Sequence, residues 1–364
     1  MTAVVLAIAM SASAMTGTWM HHRGGGSQDG RCLGEIPVNL EEAWVVDTQG
    51  PVLGTPVADT KTLYLGTARG EVLALDYTTG AVRWRAKLAE PIEAPVTLHS
   101  GAAYVGDTAG TLYKLDLRDG RTLWTFKTEA KILGAPAVEG GLALVGSYDR
   151  NLYAVDTKSG AERWRYGTEH HIHASPSVSD GRVLVGGCDG DLHIVDVQTG
   201  VLVGRTPIGA QVGTSAAVSQ GEAVLGHYGG GLVAVEIMTK EVMWTSQVSR
   251  QPVVSSPAIL GDRIFFGSRD RHLRAASRLT GEILWKHRTR GRIDTAPVAC
   301  NKRVITGSKG GRLTVLDSAK GDVLGSYDMG SAVTAGPVVM GARVFVGTAD
   351  GKLRCLRAKK ERAP

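Results

Sequence analysis

The sequence predicts an all-β fold, an eight-bladed β-propeller of four-stranded antiparallel blades, and three observations carry that expectation. The first is a hairpin, Ala74-Leu-Asp-Tyr-Thr-Thr-Gly-Ala-Val-Arg-Trp84, with copies at 114–124, 154–164, 194–204, 234–244, 275–285 and 315–325. The second is a glycine at a nearly fixed interval: Gly66, Gly106, Gly146, Gly186, Gly226, Gly267, Gly307 and Gly347. The third is composition, since 48 glycines and 5% aromatics in 364 residues suit many short strands joined by tight turns. A period of about 40 residues over most of the chain argues for one closed array, not two domains.

Each unit can be taken in order. A short strand runs through Thr/Ser/Ala-Pro at Pro56, Pro95, Pro136, Pro176, Pro257, Pro297 and Pro337. A second strand ends at the periodic glycine, and the hairpin supplies the third and fourth. In the hairpin, Leu73 to Leu75 are apolar, Asp76 to Gly80 are turn residues, and Val82 to Trp84 favour β structure again. The turn acid accepts backbone N–H groups, and glycine sits where φ is expected to be positive. Tryptophan closes the hairpin at Trp84, Trp124, Trp164, Trp244 and Trp285, while Gly204 and Gly325 replace it in two copies. So large a residue is expected to cover the neighbouring repeat.

Trp44 lies one interval before Trp84, and the last unit, ending at Lys352-Leu-Arg-Cys-Leu356, has only three strands of its own. The Glu41 to Asp47 strand carrying Trp44 is therefore expected to complete that blade, and a ring sealed this way exposes only short edges. Eight blades is the reading and seven the alternative. The expected division is 1–14 as a signal segment, 15–40 as an N-terminal arm and 41–364 as the propeller.

Residues Ala3 to Ala14 are small and apolar and end Ala12-Ser13-Ala14, which reads as the later part of a secretory signal lacking its basic n-region. A periplasmic or extracellular location follows, with no transmembrane segment, because the stretch is too short to span a bilayer. Trp19-Met-His-His-Arg-Gly24 and the polar stretch to Gly30 lack alternation and read as an arm laid over the domain. The cysteines, Cys32, Cys188, Cys300 and Cys355, form no CxxC pair. Cys355 takes the Ala position of the motif and reads as a core residue. It should also lie near Cys32 at the ring closure, within reach of a disulfide.

Ala74, Asp76, Thr79, Gly80 and Trp84 form an A-x-D-x-x-T-G-x-x-x-W pattern that resembles the tryptophan-docking motif of the quinoprotein-type (PQQ-like) β-propeller repeats. The resemblance runs from about Trp44 to the end; 154–164 matches nearly as well, and the unit with Ala216, Glu236 and Lys240 diverges most. It implies that Trp44, Trp84, Trp124, Trp164, Trp244 and Trp285 stack on the next blade and tie the ring. The arm is similar to a segment preceding the propeller in secreted planctomycete-type members of undefined function. A more distant similarity is to the lipoprotein scaffold of outer-membrane barrel assembly, a non-enzymatic propeller whose loops bind protein.

Quinoprotein dehydrogenases of this type hold pyrroloquinoline quinone (PQQ) and calcium in the central funnel, with a vicinal disulfide and a stacking tryptophan. This chain has no adjacent cysteines, and only Trp19 lies outside the docking positions. The expected function is therefore a non-enzymatic secreted or periplasmic scaffold that binds protein or ligand through its loop-rich face. A PQQ- and calcium-dependent dehydrogenase is the alternative. No catalytic, cofactor or metal residue is assigned, and a monomer is expected.

In a four-stranded blade the loop leading into the first strand and the loop joining strands two and three share one face. The lead-in loops hold Glu93, Lys131, His170, His171, His173, Arg290, Arg292 and Asp294. The second set holds Arg69, Tyr148, Asp149, Arg150, Asp189, His227, Tyr228, Arg269, Asp270, Arg271 and Lys309. From these, Glu93, Tyr148, Arg150, His171, His173, His227, Tyr228, Arg269, Arg271, Arg292, Asp294 and Lys309 form the candidate partner-binding face. Arg and Lys would attract an anionic ligand or acidic peptide, in keeping with a net charge of +6. Arg150 and Arg271 each replace the glycine used elsewhere in this turn. The histidines, with His227, suggest metal ligation but lack a matched ligand set. Nucleic acid is not an expected partner, since aromatics are too few for stacking platforms.

Overall fold

Eight four-stranded antiparallel sheets stand as blades around a central channel in the computed structural model, which describes residues 18–32 and 34–359. The signal-like segment 1–14 lies outside the described residues. Blade 1 comprises Val57–Ala58, Thr62–Gly66, Glu71–Asp76 and Val82–Lys87, innermost strand first. Blades 2 to 7 repeat that order. Blade 8 takes Val333–Met340, Arg343–Thr348 and Lys352–Ala358 from the C-terminal end and Leu40–Asp47 from the N-terminal end. There Trp44 pairs with Cys355 in antiparallel register, so the ring closes with eight blades and not seven.

The strand pattern follows from position in the blade. Strands covered on both faces are apolar throughout, as in Leu142–Gly146, whose five residues are all buried. Outer strands alternate, as in Glu162–Gly167, because only one face packs.

The periodic glycines are explained by what the following blade places against them. A Cβ on Gly347 would sit 2.5 Å from Cγ1 of Val52, and one on Gly226 would meet Val253 at the same distance. Gly66, Gly106, Gly146 and Gly267 face Ile92, Ile132, Ile172 and Ile293 in the same way. Each glycine lets a buried β-branched residue of the next blade press onto the backbone, which is why no side chain fits.

A second tie lies at the rim. The Trp124 indole N–H donates to the Thr157 carbonyl at 3.0 Å, and its ring covers Gly160 of the next hairpin turn. Trp84, Trp164 and Trp285 donate to Leu117, Val197 and Ser318 at 2.9, 2.9 and 3.1 Å. Trp244 reaches Arg278 at 2.8 Å and Trp44 reaches Tyr77 at 3.3 Å. Where tryptophan is missing, Lys240 methylenes lie over Gly204 and the Val38 carbonyl lies beside Gly325.

The arm crosses the end of the channel opposite the lead-in loops. Its backbone bonds to inner strands of blades 1, 2, 4, 5, 6 and 7, through Ala58, Leu98, Val178, Val218, Ile259 and Ala299. Arg23 is buried beneath the channel at φ +61°, where it donates to the carbonyls of Gln28, Ser256 and Pro257. The disulfide expectation is corrected here: Cys32 bonds to Cys300 on the inner strand of blade 7, with Cα atoms 5.1 Å apart. Cys355 is a buried free thiol. The arm runs across the floor to blade 7, so Cys32 arrives beside Cys300 before the chain turns to blade 8.

Candidate functional site

A cavity of about 290 Å³ occupies the channel, lined by lead-in residues of all eight blades, including Glu93, His173, Asp294 and Thr334. Its waist is held by serines that sequence reading did not single out. Ser175 Oγ accepts the Ala135 N–H at 2.8 Å, Ser215 Oγ accepts that of Ser175 at 3.1 Å, and Ser256 Oγ accepts that of Ser215 at 3.0 Å. These hydroxyls satisfy buried backbone donors and join successive inner strands. At the floor, His22 of the arm faces the cavity, its Nδ1 buried without a hydrogen-bond partner. Burial, helped by the adjacent Arg23 charge, pushes its pKa down to about 3, so the ring is neutral near pH 7.

Two side-chain groups converge at the mouth. In the first, the Tyr148 hydroxyl shares a 2.5 Å hydrogen bond with His173 Nδ1. His171 stacks on the Tyr148 ring at 4.5 Å between centroids, and the Lys131 ammonium stands 4.3 Å from that centroid. Burial raises the Tyr148 phenol to about 12 and lowers the His173 imidazole, which the His171 and Lys131 charges lower further. Both groups are therefore neutral near pH 7. The lead-in loops of blades 3 and 4 bring these residues together around the second turn of blade 3.

The second group surrounds Asp294. Arg269 Nε lies 3.1 Å from its Oδ1, and Arg292 Nε lies 3.1 Å from its Oδ2. Lys309 joins them from the adjacent turn, its pKa lowered by burial and by both guanidinium charges, against the opposing pull of Asp294. One carboxylate here pairs with two guanidiniums, and the Lys309 ammonium feels its charge without pairing to it.

Other candidates are placed differently. Glu93 is exposed at the mouth, and the Tyr228 ring covers Gly213. Arg150 and Arg271 are exposed at φ +76° and +69°, a region that glycine favours and other residues enter at a cost. His227 is not on the open face: it is buried against Gly229 and Gly231, and burial lowers its pKa. Among the described residues, one group of three ligating side chains converges, Asp189, Asp191 and His193, inside blade 4. His193 there bonds Asp189 at 3.0 Å through Nε2 and Tyr166 at 2.9 Å through Nδ1. Blades 2 and 3 hold Tyr113 on Asp107 and Tyr153 on Asp149 at the same place, so the group repeats a blade-building contact.

Repeat, ring closure and docked tryptophans together define a quinoprotein-type eight-bladed propeller. The chain belongs to the family described as outer membrane protein assembly factor BamB, which matches residues 39–131, 68–221 and 189–363. No relative among curated proteins matches the sequence. Among solved structures, BamB from Moraxella catarrhalis is similar with a TM-score of 0.77 at 23% identity, covering 87% of this chain and 99% of that one. The quinohemoprotein alcohol dehydrogenase from Comamonas testosteroni has a TM-score of 0.83 at 14% identity, covering 97% and 82%. The computationally designed Ika8 protein gives 0.78 at 19% identity, covering 87% and 99%. Likenesses this distant show the fold.

Proposed function

We propose that the protein is a non-enzymatic scaffold that binds a protein partner or ligand through the loop-rich mouth of its propeller, in the periplasm or outside the cell. One observation carries this reading: two preorganised groups, one imidazole–phenol and one cationic, stand at the end of the channel that the arm leaves uncovered. Preorganised polar groups around an open concave site are what recognition uses. Membership of the BamB family supports a scaffold role. The Cys32–Cys300 disulfide supports an oxidising compartment. Among the described residues no helix is long and apolar enough to cross a membrane.

The donor set on the channel wall does not fit a calcium-bound quinone. Its carboxylates, Glu93 and Asp294, come from blades 2 and 7, and two guanidiniums already engage Asp294. Calcium needs six to eight converging oxygens. The wall hydroxyls Ser175, Ser215 and Ser256 are taken up in joining inner strands. No catalytic step is assigned.

The experiment is affinity purification from envelope extract with the wild type and an Arg150→Ala, Arg269→Ala, Arg271→Ala variant. A defined partner retained by the wild type and lost from the folded variant is expected. Identical profiles from both proteins would rule out the mouth as the binding face.

A further inference from the structure

We propose that Arg269, Arg292 and Lys309, gathered around Asp294, form an oxyanion site at the channel rim that takes side-chain carboxylates of an acidic peptide segment. This inference rests on the scaffold reading and names its ligand chemistry.

The geometry starts from Asp294, whose two oxygens each meet a guanidinium through Nε. Among the described residues the terminal nitrogens of Arg269 and Arg292 make no hydrogen bond, and the ammonium of Lys309 has neither a hydrogen-bond nor an ion-pair partner. A single carboxylate thus orients two forks and leaves an excess of positive charge that it cannot neutralise. Arginine forks held in place are suited to carboxylate oxygens, since the ordering cost is met before the ligand arrives. The side chains stay accessible, at 34% for Arg269 and 53% for Arg292.

A peptide fits better than a small free acid because the positive charge continues beyond the rim. Arg250, Arg271 and Arg290 extend it over the lead-in and second turns of blades 6 and 7, on the same face. Across the channel, the lead-in loops of blades 2, 3 and 4 carry Glu90, Glu93, Glu129 and Glu169. The mouth is therefore uneven, predominantly basic on blades 6 and 7 and mixed on the facing arc, where Lys131 and Arg150 stand among the glutamates and Glu169 pairs with Arg205. Such a field directs an acidic segment to one side and fixes its orientation.

The test uses the full chain and a fluorescein-labelled decapeptide of alternating Glu and Gly, read by fluorescence anisotropy at low salt, with a Gln-for-Glu peptide as control. The wild type is expected to bind the Glu peptide and not the Gln peptide, with affinity falling as salt rises. An Arg269→Gln, Arg292→Gln variant should bind about tenfold more weakly or worse. A Lys61→Gln, Lys158→Gln variant, with the same charge change on the opposite face, should match the wild type. Arg292→Lys keeps the charge and loses the fork, so it should also weaken binding. Equal losses in both double variants would reduce the effect to net charge and overturn the site, as would an unchanged Arg292→Lys. Absence of peptide binding, or displacement of the peptide by micromolar succinate or inorganic phosphate, would overturn the peptide assignment. None of these failures touches the scaffold reading, which is tested separately by partner retention on the wild type and its loss from the Arg150→Ala, Arg269→Ala, Arg271→Ala variant.

Discussion

Replacing Trp124 by alanine is expected to destabilise the propeller by about 3 kcal/mol, near the lower end for a packed tryptophan. The indole N–H donates to the Thr157 carbonyl at 3.0 Å, a bond contributing about 1 kcal/mol net. The ring meets Tyr104 edge-on at 5.9 Å, an arrangement that adds about 0.5–1.5 kcal/mol beyond area. It also fills the space over Gly160, where a Cβ would fall 2.9 Å from its Cγ, so truncation leaves a gap between blades 3 and 2. The half-buried position of Trp124 keeps the estimate from the top of the range. Urea unfolding followed by far-UV circular dichroism, extrapolated to water, measures the change. Trp124→Phe keeps most of the contact and should lose about 1 kcal/mol. A loss below about 1 kcal/mol for alanine would mean that the ring covers nothing, and the inter-blade tie would have to be abandoned.

Removing the Cys32–Cys300 bond as a double alanine variant should cost about 2–5 kcal/mol, because it closes a loop spanning 268 residues; equal melting midpoints for the two proteins would contradict this. Stability should also fall as pH drops below about 6.5, since unfolded His22 takes up a proton that the folded chain accepts only near pH 3. The folded pKa is depressed, so this contribution is present above 6.5 and lost progressively toward 3, at up to about 1.4 kcal/mol per pH unit. His22→Asn should flatten that part of the profile, and an unchanged slope would place the titration elsewhere. Arg271→Gly should raise stability by about 1 kcal/mol by relieving a φ of +69°, a change measurable by the same urea titration; destabilisation would show that the arginine is held by contacts worth more than its backbone strain.

Period and composition carried the ring, its eight blades and its closure by Trp44, because a repeat must bury its faces against its neighbours. The reason for Gly66 and its counterparts was not legible, since the β-branched residue that each accommodates lies in the next unit, about 26 residues on, as at Ile92. Nor was the true partner of Cys32. The arm lacks periodicity, so its path across six blades depends on backbone pairing that side-chain pattern does not report. At the mouth, loop position put Tyr148, His171, His173, Arg292 and Asp294 on one face, but which of them meet was not legible, because Tyr148 comes from the second turn of blade 3 and the histidines from the lead-in loop of blade 4. His227 misled: its turn position suggests exposure, but Gly229 and Gly231 leave a hollow into which the ring folds. The serine bonds at the waist were hidden because a lone Ser or Thr near a proline has no distinctive spacing.

The most direct test of a scaffold without chemistry of its own is titration of calcium-loaded and metal-free protein with PQQ, followed by absorbance and calorimetry. No saturable, calcium-dependent binding is expected, because the channel carboxylates Glu93 and Asp294 are separated and Asp294 is already engaged. Stoichiometric binding that requires calcium, at micromolar affinity or tighter, would contradict the scaffold reading and make the channel a quinone site.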